Sequence, residues 1–344
     1  MANQTYRLEL YQEYPLPNEE AAIEEIAKIA KEMMQKDYPE GKRPARRDQH
    51  AKDHGCVRGE FIIEADLPEE LRVGVFREPR TYPIWIRFSN SSPKCQHDSQ
   101  ADIHGMAIKL MGVAGEKILS EERFETTQDF LLIDYPIFFF ANVQDCMQLF
   151  TNYKKGELIK FFFPSFNPFK WRLKELIIAQ VCKQKITNLL DRQYWSVLPY
   201  KFGSRAVKYS VKPHVINFSN KSVISSENYL REGLIRHLKN QEVGFDFMIQ
   251  FQTDPDKMPI EDPRVRWDEK LSPFQKIATI RIPPQTFDSD EQREFCENLS
   301  YTPWHSLPEH KPLGGLNRIR QKVYPTISKL RHQMNNASTK EPSA

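Results

Sequence analysis

The sequence predicts an α+β protein built on an antiparallel β-sheet or barrel, with helices at both ends. Strand-like alternation dominates the middle of the 344 residues, helical spacing marks both flanks, and no internal repeat divides the chain. The length suits one large domain or two small ones.

The first helix is expected over 19–36, where Ile23, Ile26, Ala30 and Met33 recur among Glu and Lys, with Asn18 as its N-cap. Residues 39–47 carry glycine, prolines and basic residues and read as a linker or extended arm. From Val57 to about Tyr135 the period becomes two: Ile84, Ile86 and Phe88 alternate with Trp85, Arg87 and Ser89. Further apolar runs cover 105–111 and 129–140, with turn residues at 90–93, Gly112 and Gly115 between them. Residues 143–200 read as helical, with an unusual mixture of Lys154, Lys155, Phe161–Phe163, Phe166, Phe169, Lys170 and Trp171. Strands resume at 206–211, 244–252 and 277–282. Helices are expected at 288–298 and 315–335. This divides the chain into an N-terminal helix and arm (1–46), a barrel with flanking helices (47–336), and a polar tail (337–344) expected to lack fixed structure.

Composition narrows the function classes. The net charge of +3 gives no footprint for nucleic acid. The five cysteines, Cys56, Cys95, Cys146, Cys182 and Cys296, are odd in number and scattered, which argues against a disulfide framework and for a reducing compartment. Residues 1–14 are polar and show no apolar signal-peptide core, and no apolar run reaches membrane-span length. The expectation is a cytoplasmic protein. No H-E-x-x-H and no Gly-rich phosphate loop is present. His50 with His54, and His97, Asp98, Asp102 and His104, have spacings a metal could use, as do His305 and His310; the alternative for each is a surface or packing histidine.

On the last helix, Arg320 and Tyr324 lie four apart and share a face. A guanidinium beside a phenol favours phenolate, a hard anionic ligand suited to ferric haem. Arg331 follows two turns later on the same side and could pair with a propionate. Pro325 sits inside this helix, where proline costs about 3 kcal/mol. An Arg-x-x-x-Tyr pair alone is weak, because a solvated arginine beside a packed tyrosine looks the same.

The full string Arg320-Gln-Lys-Val-Tyr324-Pro325, with Arg331 beyond, resembles the proximal haem helix of the haem catalases. Arg47-Asp-Gln-His50-Ala51-Lys52 resembles that family's distal signature. Residues 83–89, ending in Arg87-Phe88-Ser89, are similar to its Arg-Phe-Ser strand. Residues 102–109 and 134–139 resemble its next two strands, and 206–212 a later one more loosely. The motifs stand in the family's order from about residue 47 to 331. The shorter length, and the stretch from Tyr301 to Arg318, fit a small catalase-related branch rather than full-length catalases.

The resemblance implies a haem-catalase type antiparallel barrel binding haem b (iron protoporphyrin IX). Tyr324 would be the proximal iron ligand and His50 the distal acid–base, oriented by Ser89. Arg320 would keep Tyr324 as phenolate, and Arg47, Arg87 and Arg331 would bind the propionates. The implied activity is decomposition or reduction of hydrogen peroxide or an organic hydroperoxide. Isomerisation of fatty-acid hydroperoxides, as in the related allene oxide synthases, and a non-enzymatic haem sensor are the alternatives. Homo-oligomerisation stays open.

Three departures bear on this. Asp134 stands where the family has asparagine; an ionised aspartate offers a peroxide no donor and, if close, would raise the pKa of His50. Gln49 precedes the distal histidine where the family has valine or threonine. Ser328 replaces a histidine four residues after the tyrosine. The basic–aromatic stretch 154–171 reads as a packed helix pair with solvated lysines or as a membrane-surface or lipid-access element. Phe150 reads as core or as a ring against haem.

Overall fold

The period-two pattern of Thr81–Asn90 does divide the two faces of a sheet. Ile84, Ile86 and Phe88 enter the main buried core, while Arg87 and Ser89 lie on the opposite face. The structure, a computed structural model, describes residues 8–215 and 226–342. Its elements in chain order are α1 (Glu19–Asp37), β1 (Asp53–Ile63), β2 (Thr81–Asn90), β3 (His104–Met111), β4 (Thr127–Ile133), α2 (Val143–Lys154), α3 (Ile159–Phe162), α4 (Leu173–Val181), β5 (Tyr194–Trp195), β6 (Tyr200–Phe202), β7 (Arg205–Pro213), α5 (Tyr229–Leu238), β8 (Val243–Phe251), β9 (Gln275–Ile282), α6 (Asp290–Asn298) and α7 (Gly315–Asn335).

The strands pair antiparallel in the order β5-β4-β3-β2-β1-β9-β8-β7, and β5 pairs back onto β7, closing an eight-stranded barrel. Closure removes the unpaired edges an open sheet would expose. The short β6 pairs with the start of β7, Tyr200 opposite Val207, ahead of the residues that β5 pairs. The interior is filled by aromatic rings: Phe247 lies 4.9 Å from both Phe61 and Phe130, and Phe130 lies 5.0 Å from Tyr209. Such rings pack a barrel solid, so a ligand site must lie elsewhere.

Outside the barrel, α1, α2 and α7 form a second apolar cluster around Ile26, Ala30, Val143, Ile319, Val323 and Ile327. That packing holds α7 as one helix from Gly315 to Asn335 despite Pro325 within it. Phe150 joins this cluster, the core role among its two readings.

Several local expectations change. Asn18 makes no side-chain cap; it sits at φ 59°, and α1 begins without it. The strand expected over 129–140 ends at Ile133, because Tyr135-Pro136 cannot continue the ladder. The helix α5 was not apparent, although Leu230, Leu234 and Leu238 lie four apart on it and are buried. The tail expected to be unstructured instead returns to the barrel at 338–342. There Glu341 is buried and accepts from Lys109 Nζ at 2.5 Å and Thr127 Oγ1 at 3.1 Å. Residues 343–344 lie outside the described residues. No helix among the described residues is long and apolar enough to cross a membrane.

Candidate active site on the outer barrel wall

The register of β1, β2 and β3 gathers the expected distal residues. Ser89 pairs with Gly105 and Arg87 with Ala107 across β2 and β3, so two polar side chains stand beside two small ones on the outer wall. The loop before β1 lays His50 against that wall: His50 Nδ1 lies 3.0 Å from Ser89 Oγ. Gly105 makes room for the imidazole, since a Cβ there would sit 2.7 Å from His50 Cε1 and 3.0 Å from Ser89 Oγ.

The backbone of His50 is fixed as tightly as its ring. Its φ is 58°, the left-handed region that costs a non-glycine residue about 1–2 kcal/mol. Two hydrogen bonds hold it there: His50 N donates to Ser91 O at 3.2 Å, and Arg87 donates to His50 O at 2.8 Å. Burial pushes the imidazole pKa down to about 3, helped by the cationic Arg87, Arg320 and Arg47. The shift holds His50 in its neutral form near neutral pH but makes it a weak base, an effect that an anion neutralising the three guanidiniums would reduce.

This reverses the expectation that Asp134 would raise the pKa of His50. Asp134 is buried and spent on another residue: it accepts from His104 N at 2.7 Å, lies 2.9 Å from His104 Nδ1, and faces Arg192 Nε at 3.6 Å. His104 thus engages the carboxylate and is itself among the groups whose charge acts on the distal histidine, and sequence reasoning gave His104 no such role. Gln49 is exposed and its N–H bonds only Asp48, so its side chain does not restrain His50.

Three arginines, Arg47, Arg87 and Arg331, converge behind the histidine, as their mutual charge effects record. Two carboxylates face them: Glu297, 3.2 Å from Arg47 and 3.7 Å from Arg331, and Asp53, whose charge acts on Arg87 and Arg47 but which is itself paired with Arg231. Arg47 and Arg331 also donate to carbonyls at the C-terminal end of α6: Arg47 to Cys296 O at 3.4 Å and Leu299 O at 2.5 Å, Arg331 to Glu297 O and to Leu299 O at 3.2 Å. Cations there suit the helix dipole. Burial and the two neighbouring guanidiniums lower the pKa of Arg331 to about 9. Arg87 Nε is buried and has no hydrogen-bond partner among the described residues. An excess of buried positive charge with an unsatisfied donor fits an anionic ligand such as a propionate.

On α7 the Arg320 guanidinium lies 5.8 Å from the centre of the Tyr324 ring, and Tyr324 is half-buried against the α1–α2 cluster. Arg320 also donates to Asn317 Oδ1 at 3.4 Å. Its charge reaches both His50 and the buried hydroxyl of Tyr200, whose pKa rises to about 12 mainly through burial. The proximal pair and the distal histidine thus share one electrostatic environment, although some 270 residues of sequence separate them. Ser328 turns away to Ser300 Oγ at 2.6 Å.

The alternative metal readings do not assemble. His54 is buried with Nε2 2.6 Å from Asn90 Oδ1, Asp98 holds Lys52 at 2.5 Å, and Asp102 accepts from Ser91 and Gln96. Among the described residues no group of three or more His, Cys, Asp or Glu is placed to hold a metal ion.

A closed antiparallel barrel with a candidate site on its outer wall, under a C-terminal helix, defines the class of protein. That architecture is the catalase fold. A fungal catalase superimposes with a TM-score of 0.62 at 18% identity over 96% of this chain and 66% of its own. A bacterial catalase gives 0.60 at 17% identity over 97% and 64%, and catalase A from Saccharomyces cerevisiae gives 0.63 at 16% over 97% and 70%. The chain spans about two thirds of the length of the catalases it resembles. No family model and no curated protein matches the sequence.

Proposed function

We propose that this chain binds haem b on the outer barrel wall and processes hydroperoxides. Tyr324 would ligate the iron. Arg320 would stand beside it, its guanidinium 5.8 Å from the ring centre, and Arg87 with Arg47 and Arg331 would receive the propionates. The observation that carries the reading is the placement of His50, held by Ser89 and Gly105 beside an arginine with an unsatisfied buried nitrogen. When bound, haem supplies the redox centre at which the O–O bond is cleaved. His50 then takes the proton of the hydroperoxide on its free Nε2 and returns it to the departing oxygen, a general acid–base role that typically contributes about 10²–10⁴ in rate. Ser89 Oγ fixes the ring orientation through Nδ1. Asp134, engaged by His104, supplies no donor to a peroxide, which favours reduction or rearrangement of an organic hydroperoxide over rapid hydrogen peroxide dismutation.

The test is spectroscopic and chemical. The purified chain loaded with haem is expected to show a phenolate-type absorption spectrum that Tyr324→Phe abolishes. It is expected to oxidise a dye donor, or to consume the conjugated diene of a lipid hydroperoxide, faster than it releases oxygen from hydrogen peroxide. A wild-type spectrum surviving in Tyr324→Phe would remove the iron-ligand assignment. Haem binding without turnover of any peroxide would leave a haem sensor or store.

A further inference from the structure

Residues 154–185 carry a net charge of +6, from eight Lys and Arg against two Glu, while the whole chain carries only +3. The same segment holds the largest concentration of exposed apolar side chains among the described residues. Phe169 is 97% exposed, and Phe166 is as open as in an extended chain. On α4 the pattern is inverted: Leu173, Ile177 and Val181, four apart and so in one line, all face outward, and the helix fully buries only Ala179. A helix that merely borders water places polar residues there.

The turn that presents the two phenylalanines is built rather than frayed. Asn167 Oδ1 accepts from Phe169 N at 3.0 Å, Trp171 Nε1 donates to Ser165 O at 2.9 Å, and Trp171 packs edge-on to Phe163 at 5.3 Å. Arg172 ties its far end to Asp145 at 2.9 Å and lies 4.3 Å from the Phe161 ring. The neighbouring Phe161 and Phe162 are buried against Phe139. Rings are thus sorted into an inner set that anchors the segment and an outer set that nothing among the described residues covers.

We propose that this surface docks onto an anionic lipid bilayer, with Phe166, Phe169 and the outer line of α4 entering the headgroup region and the flanking lysines pairing with lipid phosphates and carboxylates. Charge decides the occupant. A second copy of the chain would set one cationic patch against another, a repulsion that like surfaces pay on contact. A negatively charged membrane surface complements both features at once: it attracts lysines such as Lys155, Lys170 and Lys174, all exposed, and it accepts apolar side chains that water does not. Docking stands independently of the haem chemistry proposed above. Combined with it, docking would bring the candidate site to where lipid hydroperoxides reside.

Vesicle flotation tests the proposal with the purified full chain, with and without added haem. The expected result is binding to phosphatidylcholine vesicles containing about one third phosphatidylserine and weak binding, by about tenfold or more, to phosphatidylcholine alone. Phe166→Ser with Phe169→Ser, and separately Lys170→Glu with Lys174→Glu, should each weaken anionic-vesicle binding by about tenfold. All four side chains are exposed, so the thermal midpoint should not move. Wild-type chain that stays at the bottom with anionic vesicles overturns the proposal, as does binding that neither pair of substitutions weakens. Dimerisation through the patch, seen by light scattering and abolished by Phe166→Ser with Phe169→Ser in a chain that ignores vesicles, assigns the surface to a second copy instead.

Discussion

Two buried cationic sites lie on the outer wall of the barrel, and they are finished differently. At one, Lys109 on β3 donates to Asp129 at 2.8 and 3.0 Å and to Glu341 at 2.5 Å. His305 joins it, 2.8 Å from Asp129 and 2.7 Å from Glu122. At the other, the three guanidiniums of Arg47, Arg87 and Arg331 face two carboxylates, Glu297 and Asp53, of which Asp53 is also paired with Arg231, and one nitrogen of Arg87 bonds nothing among the described residues. Both sites are largely hidden from water. What separates them is compensation. A buried charge with matched partners is a structural element, whereas a buried charge left over points to a partner that is not part of the chain. Burial or a perturbed pKa alone would have picked both.

Breaking the compensated site should have the largest effect on folding. Lys109→Met leaves Asp129 and Glu341 buried with only His305 as counter-charge and is expected to cost about 3–5 kcal/mol in urea unfolding. A cost below about 1 kcal/mol would erase the contrast. Next comes the packing that orients His50. Gly105→Ala puts a methyl where the imidazole lies, so hydroperoxide turnover of the haem-loaded protein should drop by about 100-fold. Haem binding should survive, and unchanged turnover would remove His50 from the chemistry.

The incompletely compensated site should respond more weakly than Lys109. Arg87→Leu removes one of three clustered buried cations but also the hydrogen bond donated to His50 O, so the stability cost should stay at about 1–2 kcal/mol. Haem affinity, read by titration of the absorption spectrum, should fall about tenfold. A large loss of stability with unaltered haem affinity would make Arg87 structural like Lys109.

The smallest effect is a pH slope. Asp129 and Glu122 raise the pKa of His305 to about 9, against 6.5 for an ordinary histidine. The folded state therefore keeps a proton that the unfolded state has released. Stability from this residue is complete below about pH 6.5 and falls by about 1.4 kcal/mol per pH unit as pH rises toward 9. His54, whose pKa burial lowers to about 4, acts the other way: its contribution is present above about pH 6.5 and is lost as pH falls toward 4. Urea midpoints at pH 7 and 8 for wild type and His305→Asn give the comparison. Equal slopes in the two proteins would mean that His305 is neutral when folded.

Much of the fold was legible because it depends on local periodicity. The limits of α7, Gly315–Asn335, follow from helical spacing, and the division of β2 into Ile84, Ile86 and Phe88 against Arg87 and Ser89 follows from alternation. Arg320 and Tyr324 share a helix, so their proximity was legible too. The partners of Asp134 and Arg47 were not. Asp134 meets His104 only because β4 ends beside the start of β3, and Arg47 meets Glu297 only because α6 packs near the arm before β1. Nothing local at residue 134 distinguishes a carboxylate facing a distal histidine from one held by the next strand. The docked tail was missed for the same reason: a polar stretch looks disordered until a buried lysine more than 200 residues away supplies its partner.

By itself the sequence determined the fold class, the inner and outer faces of the strands, and the residue types available for a haem-like site. Those are properties of spacing and side-chain chemistry, which the chain carries locally. The tertiary structure alone decided which charges were compensated. It left His50 neutral, turned Asp134 to His104, satisfied Lys109 and left Arg87 with a spare donor, because the energy of a buried charge depends on partners that only long-range packing brings within reach.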